Sequence, residues 1–221
     1  MLEVAQTVLL AGSFAAAVGY FAVLDKPPSP VRTAVKTATF SLFALFVATL
    51  AATGAYNGAD IAVLALALAL SALGDFLLAL EDQQRFFTLG LLSFLAAHLA
   101  YLAVFLPHVS TPTGWPLAAA IVAVAAALIL AVRLLPRLGK MTMPVFAYFM
   151  VIMAMVVAAL SIREAPWHLG AGAVLFALSD SLIAVRKFSQ PFAGIGAAIW
   201  ATYCAAQYLI VFALLGTPAL T

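Results

Sequence analysis

Residues 60–80 read DIAVLALALALSALGDFLLAL, and this stretch decides the fold. Between Asp60 at its start and Asp75 near its end, it contains no charged residue. An α-helix needs about 20 mostly apolar residues to cross the hydrocarbon core of a bilayer. The stretch therefore predicts a transmembrane helix that carries one carboxyl group, Asp75, inside the membrane.

The composition of the whole chain also indicates that lipid, rather than water, surrounds the protein. Of its 221 residues, 67% are hydrophobic and 8% are charged, whereas soluble chains average about 25% charged residues. The length allows about eight spans with short connections. We therefore expect an all-α, polytopic transmembrane helical bundle that forms one domain over residues 1–221, with membrane lipid as its surroundings and no nucleic-acid partner.

Apolar runs between turn signals and charges predict eight helices, with bounds good to about 2 to 4 residues. The first run carries Glu3 rather than the Lys/Arg cluster of a signal peptide, so we expect it to be retained. Breaks are expected at prolines, glycines and charges, including Pro136–Lys140 and Arg186–Pro191. The predicted helices are 4–23, 33–52, 60–80, 86–106, 115–135, 143–161, 167–185 and 192–215.

The basic residues are distributed unevenly over the predicted loops. Nine of the ten lie in or beside the odd-numbered loops, and only Arg163 lies on the other side. Because cytoplasmic loops are enriched in Lys and Arg, we expect both termini outside and a bacterial inner membrane as the location. The nine are Lys26, Arg32, Lys36, Arg85, Arg133, Arg137, Lys140, Arg186 and Lys187.

Two segments of the sequence resemble each other at an offset of 105 residues. They are Ala72–Ala79, which contains Asp75, and Ala177–Ala184, which contains Asp180. The same offset pairs His98 with Tyr203. This pattern indicates a four-helix unit used twice in the same orientation, as in the parallel repeats of some transporters.

Asp75 and Asp180 are the strongest candidates for function, because an ionisable group within a span costs at least a few kcal/mol. Each is predicted to lie about five residues from the cytoplasmic end of its helix, so both would sit at one depth, about 7 to 8 Å below the interface. Each could instead serve only as a structural hydrogen-bonding group between helices. Two carboxyls sharing a dry cavity would not both ionise, which provides an acid and a base.

Further polar side chains fall within the predicted spans. His98 and Tyr101 share a face of helix four, as Tyr203 and Gln207 do on helix eight. Tyr148 lies on helix six. The three histidines show no zinc-binding spacing and the lone Cys204 is expected to be a core residue, so no metal or other cofactor is predicted.

Four basic residues are expected at the cytoplasmic rim near the aspartates. They either determine topology beside anionic lipid or hold the phosphate of a headgroup, and Lys36 is the best case for the second role. They are Lys36, Arg85, Arg186 and Lys187.

Several short motifs along residues 30–210 together resemble the YhhN-like family, the membrane lysoplasmalogenases. The motifs are polar or aromatic residues in an apolar background, and their order and spacing carry the resemblance. They are Lys36, Leu73-Gly74-Asp75, Asp82, Phe87, Gly90, Phe94, His98, Tyr101, Pro144-Val145, Tyr148, Phe176, Ser179-Asp180, Ala184, Lys187-Phe188, Trp200, Tyr203 and Gln207.

The resemblance implies hydrolysis of the vinyl ether bond of a lysoplasmalogen to a fatty aldehyde and a glycerophospho-ethanolamine or -choline. Asp75, Asp180 and His98 would then be catalytic, since an oxocarbenium-like reaction suits a carboxyl pair. The expected substrate-binding residues are Lys36, Tyr101, Tyr148, Lys187, Tyr203 and Gln207.

Two other classes of function also fit a bundle with acids among its helices. One is a proton-coupled carrier of small molecules or lipids, and the other is a non-catalytic membrane scaffold. A carrier needs polar residues along the whole route, whereas the outer halves of the predicted helices are almost purely apolar. This difference favours an enzyme pocket that opens to the cytoplasm.

Overall fold

The computed structural model describes residues 1–80 and 83–217, and within this part all regular structure is helical. The predicted all-α class is confirmed. Three short 3₁₀ turns follow α2, α4 and α5, at Ala51–Thr53, Leu106–His108 and Gly139–Met141. The α-helices are α1 Leu2–Phe21, α2 Pro30–Leu50, α3 Gly58–Ala79, α4 Gln83–Phe105, α5 Trp115–Leu138, α6 Thr142–Leu160, α7 Trp167–Phe188 and α8 Ile195–Leu215.

The helices are long and apolar enough for a membrane protein of many passes. Seven stretches of the described chain could cross a bilayer by length and composition. That number counts Trp115–Leu160, which holds α5 and α6, as one stretch of 46 residues. The chain is an integral multi-pass membrane protein, and the number of eight spans stays a prediction.

Every helix bound agrees with the predicted one to within three residues, and the later ends of α5 and α7 have local causes. The expected break at Pro136 is wrong, because α5 continues through this proline to Leu138. Proline removes one backbone hydrogen bond and crowds the preceding turn, and here only two helical residues follow it. The expected break at Arg186 is also wrong, since α7 includes Arg186 and Lys187 in its last turn.

Two helices, α2 and α3, begin at a residue whose side chain caps the helix. Ser29 accepts a hydrogen bond from the Arg32 backbone N–H, and Pro30 occupies the first turn of α2, where a missing N–H costs nothing. The Asn57 side chain caps α3 in the same way through the Ala59 N–H. These caps lie in the connections on either side of α2, which keeps α2 and α3 long and regular.

The chain divides into two compact units, which we describe separately. The first unit spans Met1–Val104, and the second begins at Phe105. In the first unit α2 packs against both α1 and α3; in the second, α7 packs against α8, α6 and α5. The predicted single domain and the predicted repeat are not decided by this division.

The two aspartates differ in their position along their helices. Asp75 lies four residues before Ala79, the last residue of α3, whereas Asp180 lies eight residues before Phe188, the last residue of α7. The prediction that both lie about five residues from a helix end is therefore wrong for Asp180, because α7 is longer than expected.

Candidate functional site

In the first unit, Asp75 forms an ion pair with Lys36. The Lys36 Nζ on α2 lies 2.9 Å from Asp75 Oδ1 on α3. The Asp75 side chain is 3% exposed and that of Lys36 is 15% exposed. An ionised group so far from water needs an opposite charge with good geometry, and Lys36 provides it. The pairing places the lysine ammonium on the carboxyl rather than on an open rim.

Close packing of α3 on α4 surrounds this ion pair. A Cβ atom on Gly74 would lie 2.6 Å from the Phe94 ring, so only glycine leaves room for that ring next to Asp75. A Cβ atom on Gly90 would lie 2.8 Å from the Leu78 side chain. Ser93 donates a hydrogen bond to the Leu70 carbonyl across the same contact, at 2.7 Å. These contacts fix the position of α4 along the axis of α3, and therefore which residues of α4 lie beside Asp75.

His98 and Tyr101 are both fully buried on α4. The His98 Nδ1 donates a hydrogen bond to the Phe94 carbonyl at 2.6 Å. A neutral ring that donates from Nδ1 presents Nε2 as an acceptor. Since Phe94 packs on Gly74 and His98 is one turn further along α4, His98 lies about one turn, roughly 5 Å, deeper than Asp75.

In the second unit, Asp180 accepts a hydrogen bond from a tyrosine. The Tyr148 hydroxyl on α6 donates to Asp180 Oδ2 on α7 at 2.8 Å. Both residues are 8% exposed. The sequence analysis placed Tyr148 among the substrate-binding residues, and the structure gives it a direct contact with a candidate catalytic carboxyl. The two aspartates therefore have chemically different partners, an ammonium and a phenol.

Helix α8 supplies the other buried polar groups of the second unit. The Tyr203 ring packs edge-on against Phe176 of α7, with 5.5 Å between ring centroids, and lies 5.9 Å from Trp200. Gln207, one turn further along α8, is completely buried. Gly172 allows the close approach of the two helices, because a Cβ atom there would lie 3.0 Å from the Ala206 carbonyl oxygen.

The remaining predicted residues lie elsewhere. Lys187 is exposed in the last turn of α7, and Cys204 is buried as expected. His168 packs on the neighbouring Trp167 ring, and His108 lies in the 3₁₀ turn after α4. Asp82, which contributes to the family resemblance, lies outside the described residues.

The Lys36–Asp75 pair is the feature that the sequence analysis missed. Both residues were identified, but Lys36 was assigned to a phosphate and not to Asp75. The signal was present, because a lysine inside one span and an aspartate inside the next one offer charge compensation. Lys36 contacts Asp75 and Tyr148 contacts Asp180, and that His98 or Tyr203 lies close enough to hydrogen-bond one of the aspartates stays a prediction. That Asp75 and Asp180 face one cavity stays a prediction.

Comparison with known proteins gives one family profile and several relatives that share the name lysoplasmalogenase. The profile described as the YhhN family matches residues 31–214. A Mycobacterium bovis protein named lysoplasmalogenase is 38% identical over 148 residues, which cover 65% of this chain and 57% of that protein. A Mycobacterium tuberculosis protein of the same name gives the same values. The human protein named Lysoplasmalogenase TMEM86B is 40% identical over 79 residues, which cover 35% of this chain and 33% of the human one.

The matched region therefore covers less than two thirds of the length of these relatives. The region that the YhhN profile matches includes every residue of the two aspartate sites, since Lys36, Asp75, Tyr148 and Asp180 all lie within residues 31–214. No solved structure matches the chain significantly.

Proposed function

This chain belongs to the YhhN family, and on that premise we propose that it hydrolyses the vinyl ether bond of lysoplasmalogens. The products are a fatty aldehyde and a glycerophospho-ethanolamine or -choline. One observation carries the proposal beyond the names of the relatives: two buried aspartates sit in contrasting surroundings, Asp75 beside the Lys36 ammonium and Asp180 beside the Tyr148 hydroxyl. Contrasting surroundings separate the roles of two carboxyls into an acid and a base.

The reaction takes place in three steps: protonation of the vinyl ether, attack by water and breakdown of the hemiacetal. An acid adds a proton to the β carbon of the vinyl ether, which leaves an oxocarbenium ion at the α carbon. Water attacks that carbon and loses a proton to a base. The resulting hemiacetal then breaks its bond to the glycerol oxygen, which takes a proton, and the aldehyde is released. Glycosidases solve the same oxocarbenium problem with two carboxyl groups.

We assign the charged role to Asp75 and the acid role to Asp180. An ammonium 2.9 Å away stabilises the negative charge of Asp75 by direct Coulomb attraction. A carboxylate held in this way stabilises the oxocarbenium ion and accepts the proton of the attacking water. The acid role falls to Asp180, because its neighbour Tyr148 is an uncharged phenol and not an ammonium.

The other predicted residues take roles around the reacting carbon. His98, with Nδ1 donating to the Phe94 carbonyl, presents Nε2 as an acceptor for the water or the glycerol hydroxyl. Tyr101, Tyr203 and Gln207 are proposed to bind the substrate, because they are buried polar side chains within the helices. Lys187, exposed at the end of α7, meets the phosphate. The host membrane is the bacterial inner membrane, with both termini outside.

The test is a panel of matched lysolipids. Purified protein in detergent is incubated with lysoplasmenyl-ethanolamine and -choline, and with the lysoacyl and saturated alkyl-ether lipids of the same chain length. We expect free aldehyde from the two vinyl ethers only, because only they form an oxocarbenium ion on protonation. Release of fatty acid from the lysoacyl lipid at a comparable rate, or no aldehyde from either vinyl ether, would overturn the proposal.

A further inference from the structure

A narrow cavity of about 100 Å³ lies between α5, α6 and α7 of the second unit. Its wall consists of one side of α5 between Ala127 and Leu138, of α6 between Thr142 and Met153, and of α7 between Ala177 and Ala184. The lining is apolar apart from four side chains. These four are Thr142, Tyr148, Asp180 and Ser181. The Tyr148–Asp180 pair thus borders a cavity that otherwise suits hydrocarbon.

The cavity is elongated along the helices. Its lining on α5 covers eleven residue steps, or about 16 Å. Tyr148 lies six steps after Thr142 on α6, so the carboxyl of Asp180 lies about 9 Å from the end at Thr142. The opposite end, at Ala127 and Met153, is in the middle of α5 and α6 and hence at the expected centre of the membrane. The Tyr148–Asp180 pair therefore divides the cavity into an outer and an inner part.

The two ends of the cavity have different chemistry. At the Leu138 end, Arg137 is exposed in the last turn of α5 and Lys140 is exposed in the 3₁₀ turn that follows, and both attract a phosphate. The inner end has only apolar side chains, including Ala127, Ile152 and Met153. A single-chain phospholipid has the same order of charge and hydrocarbon along its length.

Helix α5 forms one wall of this cavity. Its only buried residues are Ala120, Leu134 and Leu138, so most of its surface faces outward within the unit.

We infer that this cavity binds the alkenyl chain of the lysolipid, with Arg137 and Lys140 at the headgroup end and Ala127 at the end that sets chain length. The inference rests on the proposed function, because it seats the vinyl ether at Asp180. It assigns a chain-binding site and a specificity-determining residue to the unit formed by α5 to α8.

Ala127 offers a direct test through chain length. Ala127→Phe fills the cavity about 7.5 Å beyond the level of Tyr148, a distance of roughly six methylene groups. We expect the ratio of kcat/KM for a sixteen-carbon over a six-carbon lysoplasmenylcholine to fall at least tenfold, because the inner methylene groups lose their burial. Ala126→Phe is the matched control, since Ala126 is exposed on the same helix and does not line the cavity. An unchanged ratio in Ala127→Phe would contradict the inference.

A labelling experiment on the unaltered protein separates this inference from the proposed function. The probe is a non-hydrolysable alkyl-ether lysophosphatidylcholine with a diazirine at about the sixth carbon of its chain, roughly 7 Å from the ether oxygen and so level with the Ala127 end of the cavity. We expect photo-adducts on α5 and α6 near Ala127 and Met153. Adducts there support the chain site even when no aldehyde is formed, in which case the proposed function alone fails. Adducts confined to other helices in a protein that does release aldehyde would overturn the chain site and leave the proposed function intact.

Discussion

At the scale of single residues, the important fact is that each buried aspartate is held by a second polar side chain. A buried carboxyl group without such a partner would cost several kcal/mol in an apolar setting, whether it is ionised or protonated. Asp75 meets this cost through the charge of Lys36, and Asp180 through the hydroxyl of Tyr148. The partners keep the two acids buried while giving them different properties, which a purely structural pair would not need.

The role of the two acids is tested by amide replacement. Asp75→Asn and Asp180→Asn keep the volume and most hydrogen bonding but cannot exchange the proton. We expect each variant to lose about a hundredfold to ten-thousandfold in turnover while still binding the alkyl-ether lysolipid. If both groups serve one reaction, the double variant should lose little more than the worse single variant. Normal purification with turnover within threefold of the parent for both would show that the assignment is wrong and would move attention to His98 and Tyr203.

The ion pair predicts a stability change that a phosphate-binding lysine would not show. Lys36→Met leaves the Asp75 carboxylate buried without its cation, which costs about 3 to 5 kcal/mol for a broken buried pair. We therefore expect a marked fall in the melting temperature of the detergent-solubilised protein. Adding Asp75→Asn to Lys36→Met should restore much of that loss, since the uncompensated charge is gone. Equal melting temperatures for Lys36→Met and the parent would mean that the pair contributes no compensation.

At the scale of helices, small residues decide which surfaces can meet. Gly74 and Gly90 allow α3 and α4 to approach, and Gly172 does the same for α7 and α8. Helix packing within membranes depends on such close contact, because lipid provides no hydrophobic drive between helices. The aspartates lie one residue after Gly74 and two turns after Gly172, so glycine packing also sets where their side chains point.

Gly172→Ala tests this packing. The new Cβ atom would lie 3.0 Å from both the Ala206 carbonyl oxygen and the Ile210 backbone nitrogen, neither of which can rotate away. We expect a destabilisation of about 1 to 3 kcal/mol, visible as a lower melting temperature. Gly19→Ala is the control, because nothing lies within 4 Å of its added Cβ atom and alanine is the better helix former. A fall in melting temperature as large for Gly19→Ala as for Gly172→Ala would contradict the packing argument.

At the scale of the whole molecule, the uneven distribution of basic residues determines the expected orientation. Nine of the ten Lys and Arg residues lie in or beside the odd-numbered connections. Lys36 belongs to this group by position but is used for the Asp75 ion pair. The other eight still outnumber Arg163, so the expected orientation does not depend on Lys36.

Reporter fusions along the chain test the orientation. Fusions after residues 30, 83, 138 and 189 should report a cytoplasmic location, and fusions at residues 56, 110, 164 and the C-terminus an external one. The alternation also tests whether α5 and α6 cross the membrane separately. An external reporter at residue 138, or a cytoplasmic C-terminus, would overturn the expected topology.

The sequence by itself determined the helices and the candidate polar residues. Apolar runs of about 20 residues can satisfy their backbone in lipid only as helices, so bounds such as Trp115 and Trp167 followed directly from composition. Polar residues inside those runs stood out because a polar side chain within a membrane span is costly. Pro136 and Arg186 were misjudged because a helix end depends on what the last turn contacts, which local sequence does not contain.

Only the tertiary structure decided which polar residues meet. Asp75 is 39 residues from Lys36, and Asp180 is 32 residues from Tyr148, so no local spacing relates them. Which polar side chains meet depends on the rotation and the axial position of neighbouring helices. Contacts at glycines and between aromatic rings set both. The cavity beside Asp180 has the same origin, because three helices must come together before their apolar side chains enclose a space.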